Sequence, residues 1–342
     1  MKKQRVLIVG FGFMGEMHAQ ALGGIAQAEI VGIVDTFADA ARAKAARLNL
    51  AVPVFSDLPA ALKGIECDII NVCLPTDEHA AASIIALQAG KHVFCEKPVA
   101  LSLADAENMR AAHMVSGKFF QVGHCIRFWP EYQAFEEFMK AGTAGRLLSL
   151  TMQRRAGRPA YSIGDWLNDE KRSMGAAVDL HIHDTDYVLH LLGKPDSVVS
   201  RGTRDQTGWS HIFTRYVFPD VVVEAEGGWD YPANWGFQMA FQAVFERAAI
   251  EYDSAAKSTL RVTLAGQAPA PLAFKAAGNQ AAATVGNLSS LGGYANELCY
   301  FVDCVSQGRA PAIATLDQAI ASLEVVLSEL QSAGIGKPVS LK

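Results

Sequence analysis

Two short stretches of this chain gather side chains able to move a proton or hold a charge. In Gly175-Ala176-Ala177-Val178-Asp179-Leu180-His181-Ile182-His183-Asp184-Thr185-Asp186, Asp179 and His183 stand four residues apart, so a continuous helix presents both on one face. A carboxylate beside an imidazole fixes its tautomer and stabilises its cation, which suits a proton acceptor near neutral pH. His181 falls on another face. Two histidines and three aspartates within eight residues also raise a metal site. Residues two apart on a helix cannot converge on one ion, however, so no metal is assigned. The second stretch is Glu96-Lys97-Pro98, where the lysine leaves the end of an apolar run. An ammonium there can stabilise negative charge developing on an oxygen. The Lys97-Pro98 bond is a candidate for the cis form.

A third stretch is suited to phosphate rather than to protons. Arg5-Val6-Leu7-Ile8-Val9 reads as a strand buried on both faces, and Gly10-x-Gly12-x-x-Gly15 follows at once. Those glycines give a tight turn, room for backbone to approach a pyrophosphate, and close packing of the next helix. The N-terminus of that helix offers free N–H groups and the positive end of its dipole. A second apolar run, Glu29 to Val34, ends in Asp35, twenty residues after Gly15. A carboxylate there accepts from both hydroxyls of an adenine ribose and repels a 2′-phosphate, so NAD is expected in preference to NADP.

The elements that must position these residues alternate. After Asp35 come a helix from Phe37 to Leu48 and a short strand from Val52 to Phe55, with Pro53 marking a sheet edge. A helix capped by Asp57, a strand from Asp68 to Leu74, and a helix from Asp77 to Gln88 closed by Gly90 follow. Next are a strand from His92 to Cys95, a helix opened by Ser102, and a strand from Lys118 to Val122. Such alternation is the doubly wound α/β pattern, whose ligand crevice lies at the carboxyl ends of its strands. Thr76 and His79 at one strand end, and Glu96 and Lys97 at the next, are placed there.

The rhythm changes near residue 123, so the expected division is a nucleotide-binding Rossmann domain over 1–122 and a second domain over 123–342. The latter reads as a helix from Pro130 to Ala141, a strand from Leu147 to Arg155, and a loop over 157–172. In that loop Tyr161, Asp165 and Trp166 are available to line a pocket. A helix from Gly175 to Leu192 follows, then six strand candidates with no helix between them. Those strands predict a large, mostly antiparallel open sheet. The stretch 265–283 reads as a loop, and helices over 294–306 and 316–331 close the chain, the last able to pack back on the first domain. An open sheet with an apolar face left to solvent predicts a homodimer or homotetramer formed through it.

Half of the 342 residues are hydrophobic and the net charge is −5, with no basic run, which argues against nucleic acid or anionic membrane as a partner. No apolar stretch reaches membrane-spanning length. Six cysteines without CxxC spacing fit reduced thiols and a cytoplasmic setting.

Gly10-Phe11-Gly12-Phe13-Met14-Gly15 with His18, the Glu96-Lys97-Pro98 triplet, and Gly175-x-x-x-Asp179-x-x-x-His183-Asp184 together resemble the Gfo/Idh/MocA oxidoreductases along the whole chain. The resemblance implies a dehydrogenase acting on a secondary alcohol of a sugar, inositol or related polyol, with Lys97, Asp179 and His183 around the reacting carbon. His183 would be the acid/base, Lys97 would polarise the reacting oxygen, and Asp179 would hydrogen-bond substrate and tune the pair. Gly10, Gly12, Phe13, Met14, Asp35, Thr76, His79, Glu96 and Lys97 would face NAD. Arg127 corresponds to a position that often reaches the pocket and could favour an acid or phosphate group; Trp166 and Tyr294 are further substrate candidates. His181 stands where many members carry glycine. The same residues also serve an NAD-using enzyme with no net redox change, such as an epimerising or eliminating one. A non-enzymatic NAD-binding regulator would have no need of them.

Overall fold

The computed structural model describes residues 2–274 and 291–342, so the part of the 265–283 stretch beyond 274 lies outside the described residues. In chain order the elements begin with β1 (Gln4–Val9), α1 (Phe13–Gly23), β2 (Ala28–Val34), α2 (Ala38–Arg47), β3 (Val54–Phe55), α3 (Leu58–Gly64), β4 (Ile69–Val72), α4 (His79–Gln88), β5 (His92–Cys95), α5 (Leu103–Ser116) and β6 (Phe120–Val122). There follow α6 (Pro130–Ala141), β7 (Leu147–Gly157), α7 (Glu170–Ser173), α8 (Ala176–Asp179), α9 (Ile182–Leu192), β8 (Ser197–Asp205), β9 (Gly208–Val217), β10 (Val222–Tyr231), β11 (Phe237–Phe245), β12 (Ala248–Asp253), β13 (Leu260–Leu264), β14 (Ala270–Pro271), α10 (Gly292–Ser306), α11 (Leu316–Ile335) and β15 (Val339–Ser340). They form two compact units, each discontinuous in sequence. Among described residues the first comprises 2–125, 161–166 and 291–321; the second comprises 126–160, 167–274 and 322–342.

The first unit is a six-stranded sheet in the order β3-β2-β1-β4-β5-β6, every pair parallel. This is the doubly wound order predicted by the alternation, with the Pro53 strand at its edge. Local chemistry sets the helix ends. Asp57 accepts from the Ala60 N–H at 2.8 Å and Ser102 Oγ from the Asp105 N–H at 3.1 Å. One helix of the sheet's cover arrives from far along the chain. Leu298, Phe301 and Val302 of α10 are buried with Ile8, Met17 and Leu22, so α10 closes the core of the first unit.

The second unit holds a nine-stranded sheet in the order β14-β13-β12-β11-β7-β10-β9-β8-β15, antiparallel except where β7 meets β10. Register separates its two faces. Tyr216, Val223, Leu150, Ala243 and Ile250 lie side by side across five strands and are all buried. On this face Tyr132 and Phe135 of α6 pack on Phe241 with ring centroids 5.1 and 4.8 Å apart. One residue along, the row is Arg215, Glu224, Thr151, Gln242, Glu251 and Arg261, with Arg215–Glu224 and Glu251–Arg261 ion pairs at its ends. Strand alternation therefore gives the solvent side a polar face, not the apolar one expected. Phe213, Val222 and Val244 are scattered on it and 43–58% exposed.

Two further differences concern the expected loop and the long helix. The region 157–172 contains a 3₁₀ segment over Ile163–Asn168 and the short α7. The helix expected from Gly175 to Leu192 is broken into α8 and α9 at Leu180 and His181. Both break residues keep right-handed backbone angles, while the His181 N–H reaches back five residues to the Ala176 carbonyl at 2.9 Å. That is a single wide turn of the π type. The simple four-residue spacing that put Asp179 and His183 on one helix face is thus interrupted between them.

Candidate active site

In the first unit each glycine of the opening has its own cause. Gly10 adopts φ +90°, and a Cβ on it would stand 2.5 Å from the Cys73 carbonyl oxygen. A Cβ on Gly15 would stand 2.2 Å from the Gly10 carbonyl oxygen, so helix and turn close only without one. Nothing lies within 4 Å of a Cβ on Gly12, the N-cap of α1. Backbone there is open to a ligand at the helix N-terminus, where phosphate binds best. Phe13 and Met14 are half-buried beside it. The Phe13 ring packs on Tyr161 at 4.8 Å, so the segment carrying Tyr161 and Trp166 lies on the nucleotide-binding unit. Trp166 is half-buried there.

Asp35 ends β2 with its carboxylate already oriented. Oδ2 accepts the Phe11 N–H at 2.7 Å and Oδ1 the Phe37 N–H at 2.8 Å. A carboxylate has about four acceptor sites, so two bonds leave capacity for ribose hydroxyls. Lys44, close enough to donate to the Phe11 carbonyl at 3.0 Å, is also paired with Glu16 at 3.1 Å. Sequence reading passed over Phe37, which is 58% exposed directly after this turn.

At the ends of β4 and β5 most of the predicted residues face inward. Thr76 is buried. His79 places Nδ1 at 2.8 Å from the Pro98 carbonyl and Nε2 at 2.9 Å from the Leu74 carbonyl, and a neutral ring donates to one of the two. Burial pushes its pKa down, and the two carbonyls act in the opposite sense. Glu96 is buried, with Oε1 2.9 Å from His18 Nε2 and Oε2 accepting the Lys97 N–H at 3.1 Å. Lys97 alone of the Glu96-Lys97-Pro98 turn keeps a partly exposed side chain, and its bond to Pro98 is cis. Tyr294, at the start of α10, sits half-buried with its ring 6.3 Å from that of His18.

In the second unit the acidic residues around His183 divide by partner. Asp184 accepts Nε and Nη2 of Arg154 at 3.1 and 3.0 Å, and Asp186 accepts Nε and Nη2 of Arg127 at 2.7 and 2.6 Å. All four side chains are 2% exposed or less. Ser322 Oγ donates to Asp186 at 2.8 Å as well. Both are two-pronged, buried ion pairs that clamp α9 to β7 and to the segment before α6. Arg127, a predicted substrate contact, is therefore held by Asp186. His181 Nε2 lies 2.9 Å from Glu329 of α11, and Thr185 and Thr214 donate to the same carboxylate at 2.9 and 3.1 Å. Gly227 makes room for this, since its Cβ would stand 2.6 Å from that of His181. His183 is buried and Asp179 half-buried. Gly175, at φ +79°, lets α8 start against the β8–β9 turn, where a Cβ would stand 2.8 Å from the Trp209 carbonyl oxygen.

The first unit has the strand order and glycine turn of a nucleotide-binding Rossmann fold. Residues 4–124 match the family model described as the oxidoreductase family NAD-binding Rossmann fold (GFO_IDH_MocA), and residues 132–283 match the Gfo/Idh/MocA C-terminal domain. The chain belongs to the Gfo/Idh/MocA family. It is 34% identical over 197 residues to an inositol 2-dehydrogenase of Rhizobium meliloti (strain 1021), covering 56% of each chain. Like several other curated relatives, that protein is matched over only about half its length. A scyllo-inositol 2-dehydrogenase (NAD(+)) of Bacillus subtilis (strain 168) is 25% identical, with 98% of this chain and 96% of that one covered. Among solved structures, levoglucosan dehydrogenase in complex with NADH and levoglucosan has a TM-score of 0.84 at 19% identity, over 99% of this chain and 100% of that one. That likeness shows the fold. No helix among the described residues is long and apolar enough to cross a membrane.

Proposed function

We propose that the protein is an NAD-dependent dehydrogenase that transfers hydride between nicotinamide and a secondary alcohol carbon of a sugar, inositol or related polyol. The observation that carries this reading is Lys97. It stands at the carboxyl end of β5, on the crevice side of a Rossmann sheet, partly exposed next to the buried Glu96. As an ammonium it stabilises negative charge on the oxygen being oxidised. NAD supplies the hydride acceptor, and the protein aligns donor and acceptor atoms.

His183 is assigned the hydroxyl proton and Asp179 a hydrogen bond to substrate. The cofactor is assigned to Gly10, Gly12, Phe13, Met14, Asp35 and Thr76, with Glu96 and His79 acting from beneath. The Asp35 carboxylate supports NAD over NADP because a 2′-phosphate would meet a fixed negative charge. Arg127, with Asp186 across two hydrogen bonds, is assigned to holding α9, while Trp166 stays a substrate candidate on its half-exposed ring. Homo-oligomer formation through the nine-stranded sheet rests on that sheet's open face alone, because Phe213, Val222 and Val244 are scattered on a polar surface. Relatives named for inositol and for levoglucosan point to a polyhydroxylated ring as substrate.

The test is a thermal-shift screen of NAD with polyols, then NADH absorbance on the hits, because a ligand that binds only the folded state raises its stability. Stabilisation by NAD and NADH formation with at least one polyol are expected. NAD binding without turnover across a broad panel would favour a regulator instead.

A further inference from the structure

Behind Lys97, in the core of the first unit, three ionisable groups from three elements meet. His18 of α1, Glu96 after β5 and Glu297 of α10 each present one nitrogen or oxygen within 4.8 Å of the others. All three are buried, Glu297 completely. His18 Nε2 is 2.9 Å from Glu96 Oε1, and His18 Nδ1 lies 3.0 Å from Asn71 Nδ2, 3.1 Å from Asn71 Oδ1 and 3.3 Å from Cys73 Sγ. Glu96 Oε2 holds the Lys97 N–H. Gly123 leaves the space, for its Cβ would lie 2.8 Å from Glu96 Oε1. Neither oxygen of Glu297 has a hydrogen-bond partner among the described residues.

An ionised carboxylate cannot be buried without donors at tolerable cost, whereas a protonated one is neutral. Burial first, then repulsion from Glu96, raises the Glu297 pKa well above the usual carboxyl range. Burial opposes ionisation of Glu96 too, but the hydrogen bond and charge of His18, with Lys97 adjacent, bring its pKa below the ordinary value. For His18, burial works against the charged ring, while the contacts with Cys73 and Glu96 raise its pKa above the ordinary imidazole value. The other titratable groups facing the cluster are His79, Cys95 and Tyr294.

We propose that His18, Glu96 and Glu297 form a buried triad in which Glu297 is a neutral carboxylic acid packed beside the His18–Glu96 pair, filling the space between α10 and the turn presenting Lys97. Glu297 is thereby a positioning residue, acting on Lys97 through Glu96. His18 Nε2 and Glu96 Oε1, 2.9 Å apart, are at ion-pair distance.

The proposal rests on the assignment of Lys97 to the cofactor side, but its test does not. Infrared difference spectra of wild type and Glu297→Gln at neutral pH in D₂O should show the carbonyl band of one protonated carboxylic acid, lost in the variant. Glu297→Gln, a neutral head of the same size, should keep the wild-type fold and hold the NAD dissociation constant within about threefold. Glu297→Ala should weaken NAD binding by about tenfold as the core around the cavity relaxes. Absence of the band, or a stoichiometric divalent metal in the purified protein that Glu297→Gln removes, would overturn the triad. Wild-type protein that shows the band but binds no NAD would instead fail the reading of Lys97.

Discussion

The carboxylate of Asp35 grips the glycine turn directly, with Oδ2 2.7 Å from the Phe11 nitrogen. One side chain thus orders the phosphate loop and is assigned to read the ribose. Asp35→Ala should weaken NAD binding by about 10- to 100-fold, the worth of charge-assisted bonds, and should narrow the gap to NADP. Isothermal titration with both dinucleotides checks this. A wild type that already prefers NADP would contradict the ribose argument.

Arg154 and Asp184 form a buried pair with neither partner more than 2% exposed. Arg154→Ala leaves Asp184 charged and dry, and should destabilise the second unit by about 3–5 kcal/mol in denaturant titration. Arg154→Met combined with Asp184→Leu should recover most of that loss, because replacing both partners removes the uncompensated charge.

His92 accepts the Phe119 N–H through Nδ1 at 2.9 Å, which requires that nitrogen to be unprotonated. Burial, then the charge of Lys118, lowers its pKa from 6.5 to about 4. The unfolded chain takes up a proton near 6.5 and the folded chain only near 4, so acidification across that window favours unfolding. His92→Gln should flatten the fall in melting temperature across that window relative to wild type. The ring is only partly buried, so the effect should be smaller than full linkage allows.

Local signals carried the fold far. The alternation of strands and helices foretold the six parallel strands, Pro53 foretold an edge, and Asp57 and Ser102 foretold helix caps. Each of these depends on residues within a few positions of one another. What escaped was set at long range. The wide turn at His181 is accompanied by its contact with Glu329, 148 positions on, and by the space left at Gly227. Neither is visible in the local spacing of Asp179 and His183. The ion pairs of Asp184 and Asp186 likewise join residues 30 and 59 positions apart. One signal was available for Glu297: a carboxylate amid Leu298, Phe301 and Val302 on the buried side of α10 requires a partner or a proton. The polar outer row of the large sheet was also legible in principle, since Arg215, Glu224, Gln242 and Glu251 alternate with apolar neighbours.

The proton acceptor is the heart of the functional reading, and the most direct test is the initial rate of NADH formation on a responsive polyol with saturating NAD, for wild type and His183→Ala. Loss of about 10² to 10⁴-fold in turnover with NAD affinity unchanged is predicted, the range typical of general-base assistance. Equal turnover by the two proteins would contradict the assignment of His183.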